Sequence, residues 1–245
     1  MIATIRLQYR YLLSKISLWF LVIVAISLTV GILIASGFHS QMGQSDLNRQ
    51  AMNIEYQNEA LMILKFALIF VTVFLSIQGY YSQLCKYHLF FLQRTNGKLH
   101  LGMSKNISIM MIQTLMGLHG GLTIHIIGLY LTPFFRIDFL YINAMILVIL
   151  EMFILGLVGG IFVQIVDSIF SGMMPLFLFW VAEMNSDYLS IFNSKGLKIV
   201  YGIVANPLFF DEKWISVYTI DHYLIIFVFL SVLNLMIFML KDIKS

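Results

Sequence analysis

Charge and cysteine are scarce in this chain, and the common motifs of enzymatic sites are missing. Of 245 residues only 11% are Asp, Glu, Lys or Arg, while 60% are hydrophobic. Soluble domains carry about 25% charged residues. Apolar runs as long as those here would leave a soluble helical protein no polar face to show water. Cys85 is the single cysteine. It can form no intramolecular disulfide and no Cys-based metal site, and it reads as a passive residue near the inner end of the second span. No GxxxxGK[ST] phosphate loop, HExxH, GxSxG or other paired-histidine zinc motif occurs. No ladder of carboxylates lines the apolar runs, and the runs are not visibly duplicated as in inverted-repeat transporters. These absences argue against an enzyme and, less firmly, against an ion-coupled pump. Cofactors in this chain are not expected.

What the chain has is apolar length. Runs at 16–38, 61–81, 107–130, 140–162 and 223–240 reach or approach the roughly 20 residues needed to cross a hydrocarbon core of about 30 Å. A sixth, at 169–184, is shorter. The first run exceeds the roughly 7–15 residues of a signal-peptide core and no small-residue cleavage site follows, so it reads as a retained anchor. The expected class is all-α: one polytopic membrane domain over 1–245 with six transmembrane helices.

Charge orients the spans. With the N-terminus inside, the inner segments hold Arg6, Arg10, Lys15, Lys86, Arg94, Lys98, Lys105, Lys241 and Lys244 against Asp167 and Asp242. The outer segments hold five basic and nine acidic residues. The positive-inside rule then puts both termini in the cytoplasm. Topology accounts for the basic residues, so no nucleic-acid partner is expected.

Three connections stand out. Residues 2–14 place Ile2, Ile5, Tyr9 and Leu12 at helical spacing, with Arg6 and Arg10 on another face. This reads as an amphipathic helix lying at the inner leaflet, with a disordered basic leader as the alternative. The inner connection 82–106 is basic and aromatic, with Lys86, Tyr87, His88, Leu89, Phe90, Phe91 and Arg94 before a turn signal at Asn96-Gly97. Its aromatics suit either an interfacial belt at the end of the second span or anchors for a soluble partner. The outer segment 185–222 keeps apolar runs too short to span, which suits re-entrant helices or a folded cap.

Few polar residues fall at membrane depth. Glu151 and His119 lie about equally deep in spans four and three, which makes His119 the first candidate partner for the carboxylate. Lys65 is the second candidate; it falls near the outer end of its span, where it could snorkel out. A buried contact that fixes packing is the alternative to a functional pair. The same two spans carry Gly117 with Gly121 and Gly156 with Gly160, spacings that let helices approach closely. Gln113 and His125 read as satisfied packing residues.

The order of these parts resembles the permease subunits of ABC-2 type transporters over essentially the whole chain. The resemblance rests on the basic amphipathic start, six spans, the KYHLFFLQRTNGKLHLGMSK inner loop and the long DYLSIFNSKGLKIVYGIVANPLFFDEKW outer segment. It implies an elbow helix at 2–14, a coupling helix at Lys86–Arg94 seated on a separate ATPase, and short re-entrant helices at 185–222. It also implies two ATPase copies, which would bind the ATP and Mg, and a second permease, identical or paralogous. The size and composition are similar to small peptide-exporter and bacteriocin-immunity permeases of Gram-positive bacteria. The implied activity is outward movement of an amphipathic peptide or lipid-like molecule across a bacterial cell membrane. Two other classes remain open: a substrate-binding membrane component of the energy-coupling-factor type, and an intramembrane enzyme centred on Glu151 and His119.

Overall fold

A computed structural model describes residues 2–40, 46–81, 97–131, 135–136, 139–178 and 217–240. Among the described residues the regular structure is helical. A short helix α1 (Ile2–Leu12) precedes α2 (Lys15–Ser40), α3 (Asp46–Tyr80), α4 (Gly97–Leu131), α5 (Phe139–Val166) and α6 (Val217–Leu240). A single 3-10 turn, Phe170–Met173, follows α5. Helices α2 to α6 each contain a stretch long and apolar enough to cross a membrane. In hydrocarbon the backbone must satisfy its own hydrogen bonds, and a continuous helix does so without help from neighbours.

Helices α3 and α4 outrun the expected spans. Each has 35 residues, or about 52 Å at 1.5 Å per residue. The expected inner connection therefore stops short of 106: helix begins at Gly97, directly after the turn signal. At the other end α3 starts at Asp46, so the polar residues before 61 are helical too. The last helix likewise begins at Val217 rather than 223. In each case polar residues continue a helix past the point where apolarity stops.

Ser14 divides α1 from α2. Its carbonyl accepts the first helical bond of α2 from Leu18 N at 2.8 Å, and its hydroxyl meets Ser17 Oγ at 2.8 Å. The carbonyl bond is that of an N-cap residue, while the hydroxyl meets a side chain rather than a backbone N–H. Helix α1 then lies across the ends of α3 and α4. Ser108 Oγ donates to Ile5 O, and Gln78 Nε2 donates to Tyr11 O at 3.5 Å and to Ser17 Oγ of α2 at 2.6 Å. The buried face of α1 is Thr4, Gln8 and Leu12; of the apolar set that spacing suggests, Leu12 is buried, Ile5 and Tyr9 are half-buried, and Ile2 is 85% exposed. The neighbour is mixed: the adjoining stretch of α4 carries buried Ser104, Lys105 and Ser108, which suit buried polar side chains, while Leu12 and Tyr9 join a cluster with Ile109 and Ile112.

Directions follow from the contacts. Phe20 stacks on Phe74 at 4.4 Å, and Gly31 faces Ile63, so α2 and α3 are antiparallel. Ser76 Oγ donates to Gly156 O at 3.1 Å, and Gly160 packs on Tyr80, so α3 and α5 are parallel. Leu147 clusters with Tyr223, Phe153 meets Phe227 at 5.9 Å, and Gln164 bonds Asn234 at 2.9 Å, so α5 and α6 are also parallel. Gly102 faces Leu235 and Phe238, and Lys98 Nζ donates to Met239 O, which makes α4 antiparallel to α6. The end of α6 thus lies at the same end of the bundle as α1, called the lower end below.

Two consecutive parallel helices require the chain between them to climb back. The first part of that climb is visible. Asp167 ends α5 in the left-handed region, φ 53°, with its N–H on Val163 O. Such a residue commonly closes a helix by turning the chain away. Gly172 then packs against Val163 and Ile77, and Pro175 against Gly159. As residue number rises from 172 to 175, the partner on α5 falls from 163 to 159. Residues 170–178 therefore run antiparallel to α5. The expected fifth span, 169–184, is described only as far as 178, where residues 174–178 are helical.

Candidate functional site: a polar column through the helix core

The sequence places a carboxylate and an ammonium on two of the most buried helices, and their register brings them together. Lys65 lies near the middle of the Asn53–Tyr80 stretch and Glu151 near the middle of Tyr141–Val166. Because α3 and α5 run parallel, equal progress along each gives equal depth. Lys65 Nζ and Glu151 Oε2 are 3.0 Å apart, with side chains 0% and 2% exposed. Taking either charge out of water alone costs several kcal/mol, whereas a close pair offsets most of that for both.

This geometry corrects two expectations. His119, the first candidate partner of Glu151, points away from it: it is exposed on an outer stripe of α4 with Leu115, Leu118 and Leu122. The inward face of α4 is already taken by Gly117, Gly120 and Gly121, which lie against Ile149, Leu64 and Met145. Lys65, in turn, does not snorkel. The helix starts at Asp46 and its apolar stretch at Asn53, so the middle of the stretch falls on Lys65. The Glu151–His119 dyad that an intramembrane enzyme would use is not assembled.

Below the ion pair, Gln113 joins three helices. Its Nε2 donates to Thr72 Oγ1 and to Met152 O, each at 2.9 Å, while its Oε1 meets no partner among the described residues. The expectation of a satisfied amide thus holds for its nitrogen alone. His125 departs in the same way, with Nδ1 buried and unpartnered among the described residues. Gln113 lines a cleft with Tyr80, Asn106, Phe153 and Gly156 that has room for about one water molecule. Lower still, Tyr80 Oη donates to Asn106 Oδ1. Lys105 is buried between the rings of Tyr80, at 5.2 Å, and Phe238, at 4.8 Å, two cation–π contacts that favour its charge. Gln164 and Asn234 tie α5 to α6, with Asn234 Nδ2 also donating to Leu157 O.

Above the ion pair, Tyr56 Oη donates to Ile124 O at 3.0 Å, and Gln57 Nε2 donates to Arg136 O at 2.8 Å. The core thus holds a column of polar contacts from one end to the other, interrupted by apolar layers and centred on one ion pair.

The predicted packing glycines are spent inside the chain. Gly117 and Gly121 face α5 through Ile149 and Met145; Gly156 faces Gln113 and Thr72; Gly160 faces Tyr80 and Asn234. Sequence reasoning passed over Thr72, Ser76, Tyr80, Asn106 and Asn234. A signal was present: Thr72, Ser76 and Tyr80 recur every four residues below Lys65, a polar stripe down one face of an apolar helix. The predicted coupling residues Lys86, Tyr87, His88, Leu89, Phe90, Phe91 and Arg94, and nearly all of the predicted re-entrant region, lie outside the described residues. Searches of family models and of curated proteins find no match to this chain.

Proposed function

We propose that the chain is the membrane-spanning subunit of an ATP-driven exporter whose ATPase is a separate protein. The reading is that of an ABC-2 type permease moving an amphipathic peptide or lipid-like molecule outward, with both termini in the cytoplasm of a bacterial cell. The observation that carries it is the parallel run of α5 and α6. With the antiparallel climb begun by residues 170–178, it supports an even set of six crossings and both ends on one side, the side that charge makes basic. On this reading ATP hydrolysis belongs to the separate ATPase, in keeping with a sequence that has no phosphate loop.

The polar column suggests how force would be used. Helix α3 ends at Tyr80 and α4 begins at Gly97, so the two helices bracket the segment containing Lys86–Arg94. An ATPase seated on that segment would push on both. Helices are stiff, so the push reaches the Tyr80–Asn106 bond first, then Thr72–Gln113, and then Lys65–Glu151. Polar contacts of this kind have discrete partners and switch rather than stretch, which suits a cavity that alternates its exposure.

The test is association and transport together. The full chain, purified with the product of any adjacent ATPase gene, should retain two ATPase copies per pair of permeases. Deleting 86–94 should abolish both retention and peptide export. If no ATPase associates, and the deletion leaves export intact, the reading fails.

A further inference from the structure

The way α1 docks leaves an unexpected face outward. Thr4, Gln8 and Leu12 point into the bundle. The opposite side presents Ile2 and Leu7 together with both arginines, Arg6 and Arg10, all exposed. The arginines are four residues apart, on one face about one turn from each other. Helix α1 contains no acidic residue, and among the described residues neither guanidinium forms an ion pair. Asp167 is the described acid of the lower end, and it closes α5, whereas α1 packs on α3 and α4.

The start of α2 gives the level of this face. Ile16, Leu18 and Trp19 are exposed, Trp19 by 67%. A tryptophan just inside an apolar span marks the boundary between acyl chains and headgroups. Helix α1 adjoins that boundary through Ser14, with apolar Ile2 and Leu7 to enter the acyl edge and two arginines at the height of the phosphates.

We infer that the outward face of α1 is a binding surface for anionic phospholipid, in which Arg6 and Arg10 together hold a headgroup phosphate. Guanidinium suits the role because it is always charged and meets phosphate oxygens through paired N–H donors. Two of them one turn apart recognise net negative charge that a zwitterionic headgroup cancels with its own cation. The occupant is membrane lipid rather than free phosphate, because the arginines sit beside exposed apolar side chains that a soluble anion would leave in water. This inference needs α1 at a membrane surface but does not depend on the exporter reading.

The experiment uses the full chain in nanodiscs containing equal phosphatidylglycerol and phosphatidylcholine, released and weighed by native mass spectrometry. The wild-type chain should retain phosphatidylglycerol preferentially. The double variant R6Q/R10Q should lose that preference, by on the order of fivefold for each arginine removed. The charge-keeping R6K/R10K should retain part of it. Arg136→Gln, at the other end, should change nothing. Inorganic phosphate at millimolar concentration should not displace the lipid; displacement would mean that a free anion is the ligand. Equal retention of both lipids by the wild type, or an undiminished preference in R6Q/R10Q that remains monodisperse, would overturn the proposal. If R6Q/R10Q aggregates, R6K/R10K and the single variants decide it, since a lipid site predicts graded loss among folded proteins. Loss of ATPase association is a separate readout and leaves this result untouched.

Discussion

Helices α3 and α5 and helices α2 and α6 are about equally apolar, yet they sit in opposite places. The apolar stretches of α3 and α5 are 61% and 67% buried within the chain; those of α2 and α6 are 22% and 17% buried. Hydropathy does not separate the pairs. The number of polar side chains engaged across helices does: the outer pair has Ser17 and Asn234, fewer than the inner pair. The inner pair carries Lys65, Thr72, Ser76, Glu151 and Gln164, each aimed at another helix or at its own partner in the core. In α2, Thr29 and Ser36 donate back to Ala25 O and Leu33 O, which satisfies them locally and leaves the outer surface apolar. Where every helix is hydrophobic, burying apolar surface does not rank them, because lipid is as apolar as leucine. The few polar side chains and the glycines decide which helix goes inside.

The comparison is broken most severely by removing one half of the ion pair. Glu151→Leu or Lys65→Met should each destabilise the chain by about 3–5 kcal/mol, read as a large loss of monodisperse protein on heating in detergent. The double variant Lys65→Met with Glu151→Leu should regain most of that stability, because no unpaired charge remains. If the double variant is no better than the singles, the pair does not explain the placement of α3 and α5.

Glycines give the next largest contrast. Gly159→Ala would set a Cβ 2.7 Å from Pro175 Cγ and 3.0 Å from Ser76 Oγ, and should cost about 1–3 kcal/mol. Gly37→Ala in α2 meets nothing within 4 Å and should stabilise that helix by up to about 1 kcal/mol. Melting both variants side by side checks the sign difference.

Smaller effects come from the neutral polar groups. Gln113→Leu removes two cross-helix bonds, for about 1–2 kcal/mol, while also removing the unpartnered Oε1 that offsets part of the loss. Thr29→Val, which loses only a bond to its own helix, should stay within about 0.5 kcal/mol. An equal cost for these two would mean that the bonds of Gln113 do not hold α3, α4 and α5 together.

The all-helical class and the five membrane-length helices were legible in the sequence, because apolar length is a direct record of the solvent. Glu151 was legible as a buried group needing a partner. Its partner, Lys65, ranks only second in the sequence, because depth measured from the first apolar residue, Leu61, puts it near a surface, whereas α3 carries its helix through the polar Asn53 to Asn58 before that point. His119 has the right depth but the wrong face, and depth alone carries no angular information. The docked face of α1 was legible in part: Leu12 is buried as its spacing suggests, but Thr4 and Gln8 are buried with it, because the start of α4 beside α1 carries buried polar residues as well as apolar ones. The parallel run of α5 and α6 could be inferred only if 169–184 were accepted as a crossing; the contacts of Gly172 and Pro175 are what show the chain turning back.

The bond between Lys65 and Glu151 also has a dimension of time. Translation proceeds at about 5–20 residues per second, so Lys65 is made on the order of ten seconds before Glu151 exists. During that interval α3 must enter the membrane with a lone ammonium near its centre, at a cost of about 2.5–3.5 kcal/mol. The apolar residues around it, from Leu61 to Leu75 with only Thr72 polar besides Lys65, offset that cost. The apolar stretch of α3 thus does more than fill a folded bundle; it lets a helix wait for its counter-ion.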